Sequence, residues 1–454
     1  MQRFGSTHSA WNQLVAESTG LLQRILRVDT SNPPGNETAC ARVLQSYFAA
    51  NGVAAELVGE HPSRMNLVAR LGGRRPGPRL LLLGHMDVVP AEPDEWSVPP
   101  FSGELRDGYI WGRGALDMKS QVAAQAVAVA RLARSGADFA GEIVYAATAD
   151  EEEGAVVCGA RWLANERPDL VRCDYLLNEG GGTYFTVGGK PLYTYTVGEK
   201  GVVQFTLRFN GRGGHGSVPL HDNNAVELMG RGIAALADHE LPVTVSPTIA
   251  GYIDYLVPEP DLAAALKDPG ETRAALRAML GRGDERAYLI EPLVGLTFSP
   301  TISRAGGVAV NVIPSHADLT IDCRVLPGQG EEDVRREVRS ALAALSGSWQ
   351  FHAVDETSGN ESPSHSPLSE AVARVLHGMC PDAALVPALL CGFTDSRWFR
   401  ERFPDVAAYG FCPFFAEDSI AMGSREHAAD ERIAASDVPA QALFFERLVH
   451  DLMA

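Results

Sequence analysis

LLLLGHMDVV, residues 80–89, places four consecutive leucines directly before a glycine, a histidine and an aspartate. A short apolar run of this kind is typical of a strand that is buried on both faces, as in a parallel sheet. In open parallel sheets, ligands bind beyond the carboxyl ends of the strands. We therefore interpret His85 and Asp87 as candidate site residues. A lone histidine or aspartate after a strand is also common as a turn residue or a helix cap.

Strand and helix patterns alternate on both sides of this stretch. Apolar runs predict further strands, and an alanine-rich segment predicts a helix between them. These elements are the strands Val68–Leu71, Arg79–Leu83, Glu142–Ala149 and Asp174–Leu177, and the helix Lys119–Arg134. Such alternation predicts an α/β fold with a largely parallel sheet that is covered by helices.

The pattern changes near residue 196, where strands with one polar face and amphipathic helices begin. The predicted elements are strands 202–209 and 319–325 and helices Ala225–Ala237 and Val334–Leu345. They indicate a smaller α+β domain over 196–355. This domain interrupts a larger one made of 1–195 and 356–454. Segment 255–296 is charged, and we interpret it as an irregular insertion.

The composition argues against a nucleic-acid-binding or membrane protein. The chain has 454 residues, of which 45% are hydrophobic and 21% are charged, and its formal net charge is −18. This charge disfavours contact with phosphate backbones and anionic lipids. No apolar run reaches the length of about 18 residues that a membrane span needs, and the first residues lack the apolar region of a signal peptide. Seven cysteines without a CxxC motif fit a reducing compartment, so we expect a cytoplasmic protein.

Acidic residues and one histidine follow several of the predicted strands. They come from four separate segments: His85 and Asp87, Asp117, Asp150 to Glu153, and Asn178 with Glu179. Each carboxylate alone could belong to a turn or a solvated surface. Several carboxylates at one sheet edge repel each other and need a counter-charge, which a metal ion supplies.

The donor types indicate which metal this edge would bind. Histidine with carboxylates, and no nearby cysteine, suits Zn²⁺, with Mn²⁺ or Co²⁺ as alternatives. Because Asp87 lies two residues after His85, its carboxylate is expected to hold the second imidazole nitrogen and fix its tautomer.

Six motifs then give a resemblance to a known family. GHMDVV, GRGALDMK, ADEEEGA, NEGGG, GGHGSVP and SREHAADERI occur in the order typical of the M20 metallopeptidases. This group contains di-zinc aminoacylases, carboxypeptidases and acetylornithine or succinyl-diaminopimelate deacylases. VDTSNPPGNE near the start is also similar to the family. The resemblance implies a zinc-peptidase-type mixed sheet flanked by helices, with an inserted ferredoxin-like lid and dimerisation domain.

The resemblance also implies roles for single residues. Asp117 would bridge two Zn²⁺ ions, Glu151 would be the general base, and Asp87 would support catalysis. The remaining ligands would be His85 with Glu179 at one ion, and Glu152 with His427 at the other. Three consecutive glutamates leave the register of base and ligand open, with Glu153 as the variable position in our alignment. The Asp117–Met118 peptide bond is expected to be cis.

Three residues of the inserted domain match substrate-binding positions of the family. His215 in GGHGSVP would stabilise the oxyanion, and Asn311 in GGVAVNVIP and Arg324 in TIDCRVLPG would hold the substrate carboxylate. The alternation of LTIDCRV puts Arg324 on the polar face of its strand. A surface salt bridge to Asp322 or Asp318 is the alternative for this arginine. The resemblance also implies a homodimer that forms through the inserted domain.

Taken together, these residues predict hydrolysis of an amide bond next to a free carboxylate. The substrate would be an N-acyl amino acid or a short peptide. A catalytically inactive, metal-dependent binder of the same molecules is the alternative, and an acidic protein that binds basic partners is a third hypothesis. Gly211, Gly213 and Gly216 spell GxGxxG, but Pro219 follows where a dinucleotide-binding helix would begin, so we expect no dinucleotide.

Overall fold

The structure, a computed structural model, describes residues 8–219, 221, 223–306, 309–423 and 425–454. The prediction about a signal peptide concerns residues 1–15, of which residues 1–7 lie outside this part of the chain. The same holds for two residues of GGVAVNVIP and for the serine of SREHAADERI, whereas every candidate site residue lies within it.

Helices account for much of the described chain. In chain order they are α1 His8–Leu26, α2 Glu37–Ala50, α3 Lys119–Ser135, α4 Ala160–Glu166, α5 Pro168–Val171, α6 Ala225–Asp238, α7 Pro247–Leu256, α8 Pro260–Lys267, α9 Thr272–Gly281, α10 Arg286–Ile290, α11 Glu331–Ala341, α12 Pro367–Met379, α13 Ser396–Arg402, α14 Ser419–Met422 and α15 Asp437–Leu452. Short 3₁₀ turns occupy Pro93–Glu95, Glu291–Leu293 and Ala343–Leu345. Among the described residues, no helix has the length and apolar content needed to cross a bilayer.

The strands form one large sheet and three smaller ones. In chain order they are β1 Ala54–Val58, β2 Asn66–Gly72, β3 Arg75–His85, β4 Glu104–Arg106, β5 Tyr109–Trp111, β6 Ala140–Thr148, β7 Tyr175–Asn178, β8 Tyr184–Val187, β9 Lys190–Glu199, β10 Gly201–Asn210, β11 Gly214–His215, β12 Thr297–Ala305, β13 Val312–Ile313, β14 His316–Val325, β15 Trp349–Thr357, β16 Asn360–Glu361, β17 Ala384–Leu390, β18 Ala407–Gly410 and β19 Arg432–Ala434.

The chain divides into two units. Unit 1 comprises Met1–Val197, Ser362–Ala388 and Thr394–Ala454, and unit 2 comprises Gly198–Glu361 and Leu389–Phe393. The sequence predicts domain boundaries after residues 195 and 355, but it contains no signal that Leu389–Phe393 belongs to the second unit.

Unit 1 is built on a mixed sheet in the order β1-β2-β6-β3-β7-β18-β9. The four central strands β6, β3, β7 and β18 are parallel, and the strands outside them are antiparallel. Leu80–Leu83 is almost fully buried, as expected for a strand with helices on both sides of the sheet. His85 ends β3 opposite Thr148 at the end of β6, and β7 ends beside them. The parallel core therefore brings three strand ends to one edge, and the predicted mixed sheet flanked by helices is confirmed.

Helix α3 covers this sheet and begins immediately after the Asp117 turn. Its alanine-rich sequence has high helix propensity, and small side chains let it be buried on nearly all sides. It packs against α1 and α15. The helix ends at Gly136, whose left-handed conformation closes the last turn with two backbone hydrogen bonds.

Unit 2 contains an antiparallel sheet in the order β12-β14-β10-β15 with α6 and α11 packed on one face. The chain order is strand, helix, two strands, helix and strand, so the unit has the ferredoxin-like arrangement that was predicted. Along β14 the side chains alternate between buried and partly exposed, which confirms the predicted polar face.

The expectation that 255–296 is irregular is wrong. The segment contains the end of α7, then α8, α9 and α10, and their apolar side chains are buried. α7 and α8 begin with proline at the first helical position, where the missing N–H costs nothing. These helices span ten residues or fewer, so each shows too few turns for a helical period to be recognised in a charged sequence.

Candidate metal centre

One group of potential ligands lies where β3 and β7 end. The imidazole Nε2 of His85 is 3.1 Å from Oδ1 of Asp117 and 3.4 Å from Oε2 of Glu179. His85 is the last residue of β3, and Glu179 follows the last residue of β7, so the parallel pairing of the two strands sets their separation. Asp117 is brought in by the turn that precedes α3.

A second group shares Asp117. Nε2 of His427 is 2.9 Å from Oδ2 of Asp117 and 3.2 Å from Oε2 of Glu152. In each of the two groups, one ligand atom from every residue lies within 4.8 Å of the others. Asp117 thus directs one carboxylate oxygen at each group, which is the geometry of a carboxylate that bridges two cations. All five predicted ligands lie in these two groups, and the Asp117–Met118 peptide bond is cis, as expected.

The chemistry of these residues fits divalent cations. Each group offers one imidazole and two carboxylates, a donor set that suits Zn²⁺, Mn²⁺ or Co²⁺. Oε1 of Glu152 is buried and has no hydrogen-bond partner among the described residues. A buried carboxylate oxygen of this kind is unfavourable unless a cation or another donor satisfies it.

The electrostatics of the carboxylates indicate the same need for positive charge. Burial raises the pKa of Glu179 to about 8, and the negative charge of Asp117 contributes to the increase. Burial raises the pKa of the Glu151 carboxyl well above its usual range, and the neighbouring Glu179 raises it further. Cations at the two groups would oppose both shifts because they favour the charged form of each carboxyl.

The histidines and Asp117 partly neutralise each other. Burial disfavours the charged form of His85, but Glu179 and Asp117 outweigh that effect and hold its pKa well above the usual value. Hydrogen bonds that the His427 imidazolium donates to the carboxylates of Asp117 and Glu152 raise the pKa of His427 to about 10. Burial raises the pKa of Asp117, but the hydrogen bonds and charges of the two imidazoles outweigh this effect and hold that pKa well below its usual value. The positive charge that these carboxylates favour can therefore come from protonated histidines as well as from a cation.

Asp87 has a different contact from the one predicted. Nδ1 of His85 lies 3.0 Å from the backbone carbonyl oxygen of Asp87, whereas the closest carboxylate oxygen is 3.6 Å away. The carboxylate instead accepts hydrogen bonds from the backbone N–H groups of Glu151 and Glu152, at 3.2 and 3.1 Å, and from the side-chain amide of Asn32, at 2.9 Å. The expectation that the carboxylate fixes the imidazole is wrong, because these three donors already hold it.

The three consecutive glutamates have distinct surroundings. Glu152 lies in the second ligand group, and Glu153 is exposed. Glu151 belongs to neither group and lies close enough to His85 and Glu179 to feel their charges. Of the three glutamates, Glu152 is thus the one within a candidate ligand group, and Glu151 is the one beside both His85 and Glu179.

Sequence reasoning missed a buried network behind the glutamates. Arg64 contacts Glu37 at 2.5 Å and Asp150 at 3.1 Å, and all three side chains are almost fully buried. Asp150 also accepts a hydrogen bond from Asn32, which in turn donates to Asp87. Asn32 and Glu37 belong to the quoted motif VDTSNPPGNE, so the sequence contained part of this network, but Arg64 has no motif around it.

The three predicted substrate residues all lie in unit 2. His215 and Asn311 are exposed neighbours, because β11 pairs with β13 and the N–H of Gly216 donates to the carbonyl of Asn311. Arg324 donates to the carboxylate of Asp322 through Nε and Nη2, at 2.8 and 3.3 Å. The salt bridge between Arg324 and Asp322, which the sequence offered as the alternative to a substrate contact, is therefore present. The GxGxxG glycines precede no helix directly, since α6 begins only at Ala225.

Comparison with known proteins gives consistent matches along the chain. The sequence model of the peptidase family M20/M25/M40 matches residues 81–451. The human N-fatty-acyl-amino acid synthase/hydrolase PM20D1 is 27% identical over 448 residues, covering 94% of this chain and 86% of the human protein. Succinyl-diaminopimelate desuccinylase of Methylorubrum extorquens is 26% identical over 393 residues, covering 86% of each chain. An M20 family metallo-carboxypeptidase from Sulfolobus solfataricus shares the fold, with a TM-score of 0.70 at 18% identity over 96% of this chain and 99% of that one.

Proposed function

Since the chain belongs to the peptidase family M20/M25/M40 and is a hydrolase, we propose that it cleaves an amide bond next to a free carboxylate, with two Zn²⁺ ions as cofactors and Glu151 as the general base. The observation that carries this proposal is the position of Asp117, which directs one oxygen at each of two ligand groups. A site for a single cation would not need a carboxylate shared in this way.

The surroundings of Glu151 support its role in proton transfer. Its carboxyl is buried beside the two ligand groups, where burial raises its affinity for a proton. Cations at the two groups would provide Lewis acidity for the attacking water and for the scissile carbonyl. Glu151 would take a proton from the water and give it to the leaving nitrogen, so that its carboxylate is regenerated in each turnover.

The proposed contacts with the substrate are supported by the positions of three residues in the family motifs. His215 would donate a hydrogen bond to the developing oxyanion, and Asn311 and Arg324 would hold the substrate carboxylate. Arg324 would have to exchange its contact with Asp322 for the substrate, or bind it through the remaining guanidinium nitrogen. The homodimer implied by the family resemblance remains a prediction, and light scattering on the purified protein tests it.

The names of the relatives favour an acyl amino acid as substrate. The human relative is named for fatty-acyl amino acids and the bacterial one for succinyl-diaminopimelate. Both names describe an acyl group on the nitrogen of an amino acid. We therefore place N-acyl amino acids first and short peptides second.

Metal analysis combined with three matched variants tests the proposal. Purified protein is assayed for bound zinc and for hydrolysis of N-acetyl-methionine, a long-chain acyl amino acid and a dipeptide panel, with and without chelator. Glu151→Gln should retain both metals and lose about 100-fold or more in kcat. Glu152→Gln should bind less metal, and Glu153→Gln, whose side chain is exposed, should resemble the wild type.

Three results would contradict this scheme. Retention of more than about a tenth of kcat in Glu151→Gln would exclude that residue as the base, because general-base catalysis contributes far more than tenfold. Chelator-insensitive hydrolysis, or a single zinc equivalent at saturation, would exclude the two-metal mechanism.

A further inference from the structure

Two distant segments that each carry a ligand run side by side in unit 1. β5 pairs with β19, with Trp111 opposite Arg432. The pairing continues beyond the strands, since the N–H of Gly112 donates to the carbonyl of Glu431 at 3.0 Å. The first segment continues to Asp117, and the second segment contains His427. The pairing of β5 with β19 therefore places the turn that contains Asp117, the residue common to both ligand groups, next to the turn that contains His427.

Glu431, on the histidine segment, binds the turn of the shared ligand. Its fully buried carboxylate accepts hydrogen bonds from the backbone N–H groups of Leu116 and Asp117 on Oε1, at 2.7 and 3.1 Å. Oε2 accepts from the N–H of Gly114 at 3.0 Å and from the guanidinium of Arg113 at 2.8 Å. Four donors thus hold one buried carboxylate, which fixes the backbone on which Asp117 stands.

Arg113, on the other segment, binds back to the histidine turn. Its guanidinium donates to the carbonyl of Ala428 at 3.1 Å and to the carbonyl of His427 at 3.2 Å, in addition to Glu431. It lies over the ring of Trp96, 5.3 Å from the centroid, and only 3% of the residue is exposed. His427 has a positive φ of 61°, a conformation that is uncommon outside glycine and that needs support from its surroundings.

We infer that Arg113 and Glu431 are positioning residues that hold Asp117 and His427 at the separation required by the second cation. The inference rests on the proposed two-metal function, and it concerns residues that are not ligands themselves. Each member of the pair belongs to one segment and binds the backbone of the other, so loss of either member frees the two ligands from each other. Residues behind the ligands of metal sites typically change metal affinity by about 10- to 100-fold when they are replaced.

The two cation groups should respond differently. His427 belongs only to the second group, whereas the first group has His85 and Glu179, which the parallel strands hold independently. Arg113→Lys keeps the positive charge but removes the planar set of donors that reaches both carbonyls and the carboxylate together. We expect this variant to weaken the second Zn²⁺ by about 10- to 100-fold and the first by less than about threefold.

Stepwise Zn²⁺ titration of metal-free protein against a chromophoric chelator measures both dissociation constants. The control is Glu446→Gln, which removes a charged partner of Arg131 at 2.7 Å between α15 and α3, away from the ligands. Glu431→Gln, which can keep the contacts of Oε1, is titrated in the same way and serves if Arg113→Lys does not fold. Activity of Arg113→Lys should recover in excess Zn²⁺ without a change in KM.

The outcomes separate this inference from the proposed function. If wild-type protein binds fewer than two Zn²⁺ ions, the proposed function fails. If it binds two, but the second dissociation constant of both folded variants stays within about threefold of the wild type, the positioning role is refuted. Equal weakening of both ions would also refute it, since that is the result expected from general destabilisation.

Discussion

Replacing Arg64 with methionine should destabilise the protein strongly, and more at high pH than at low pH. The guanidinium of Arg64 is the charged partner of two buried carboxylates, Glu37 at 2.5 Å and Asp150 at 3.1 Å, and the side chains of both acids have no exposed surface. Methionine preserves much of the apolar packing but provides no charge or donor. The variant therefore leaves two carboxylates buried without their counter-charge.

The loss of folding stability in the Arg64→Met variant is limited by the free energy needed to protonate Glu37. Removing one partner of a buried ion pair costs about 3–5 kcal/mol. A carboxyl with an ordinary pKa of 4.5 can be neutralised at pH 8 for about 5 kcal/mol, at 1.36 kcal/mol for each pH unit, but at pH 5 for less than 1 kcal/mol. Burial already raises the pKa of Glu37 in the presence of Arg64. In the variant the folded-state pKa exceeds the unfolded value still further, so stability is retained below the unfolded pKa and lost as the pH rises.

Urea unfolding at pH 5 and pH 8, followed by circular dichroism, measures this difference. We expect a loss of about 3–5 kcal/mol at pH 8 and less than half of it at pH 5. Arg131→Met is the control, because Arg131 and its partner Glu446 are partly exposed and their pair should contribute less than about 1 kcal/mol. A loss below about 1 kcal/mol at pH 8, or a loss that does not depend on pH, would refute the role of Arg64 as the counter-charge.

Three other changes have expected outcomes. Gly35→Ala should lower the urea midpoint more than Gly52→Ala: both glycines have positive φ, at 82° and 72°, but only at Gly35 would a Cβ collide with the guanidinium of the buried network. Chelated protein should lose thermal stability as the pH rises from 5 towards 9, while zinc-loaded protein should not. The folded-state pKa values of Glu179, about 8, and His427, about 10, both exceed the ordinary values of these side chains, so the stability present at low pH is lost as the pH rises. Stability that increases over this range in chelated protein would contradict the assignment. Arg324→Lys should raise KM about tenfold with little change in kcat in steady-state assays, since lysine cannot reproduce a bidentate contact with a carboxylate; an unchanged KM would exclude this contact.

The ligands could be predicted because sheet geometry brings them together. A buried apolar run followed by His85 marks the end of a strand, and the same reasoning applies to Glu152 and Glu179. Parallel strands place such ends at one edge whatever the sequence distance between them. Asp117 and His427 do not follow central strands. Asp117 is still a candidate because its glycine-rich turn directly precedes the predicted alanine-rich helix, whereas only the resemblance of its motif to a family identifies His427.

The supporting contacts could not be predicted in this way. The carboxylate of Asp87 binds backbone amides 64 and 65 residues further along the chain, and Glu431 binds amides that precede it by more than 300 residues. Neither contact produces a recognisable residue pattern in the sequence, because almost every residue type has a backbone N–H that can donate such a hydrogen bond. The helices of 255–296 escaped recognition for a different reason, since each of them is too short to display a repeat.

Acidic residues in the interior of unit 1 differ in which groups donate hydrogen bonds to them or balance their charge. This difference distinguishes the candidate metal ligands from the residues that hold those ligands in place. Glu431 accepts four hydrogen bonds from amides and a guanidinium, and both oxygens of Asp87 accept from backbone amides. Such carboxylates have their charge balanced by the protein and have little to offer a cation. Glu152 and Glu179 instead contact imidazoles, and Oε1 of Glu152 has no hydrogen-bond partner within the part of the chain that the structure describes. Glu431 and Asp87 are therefore satisfied by the protein, whereas the candidate ligands Glu152 and Glu179 still need positive charge, which a cation would supply.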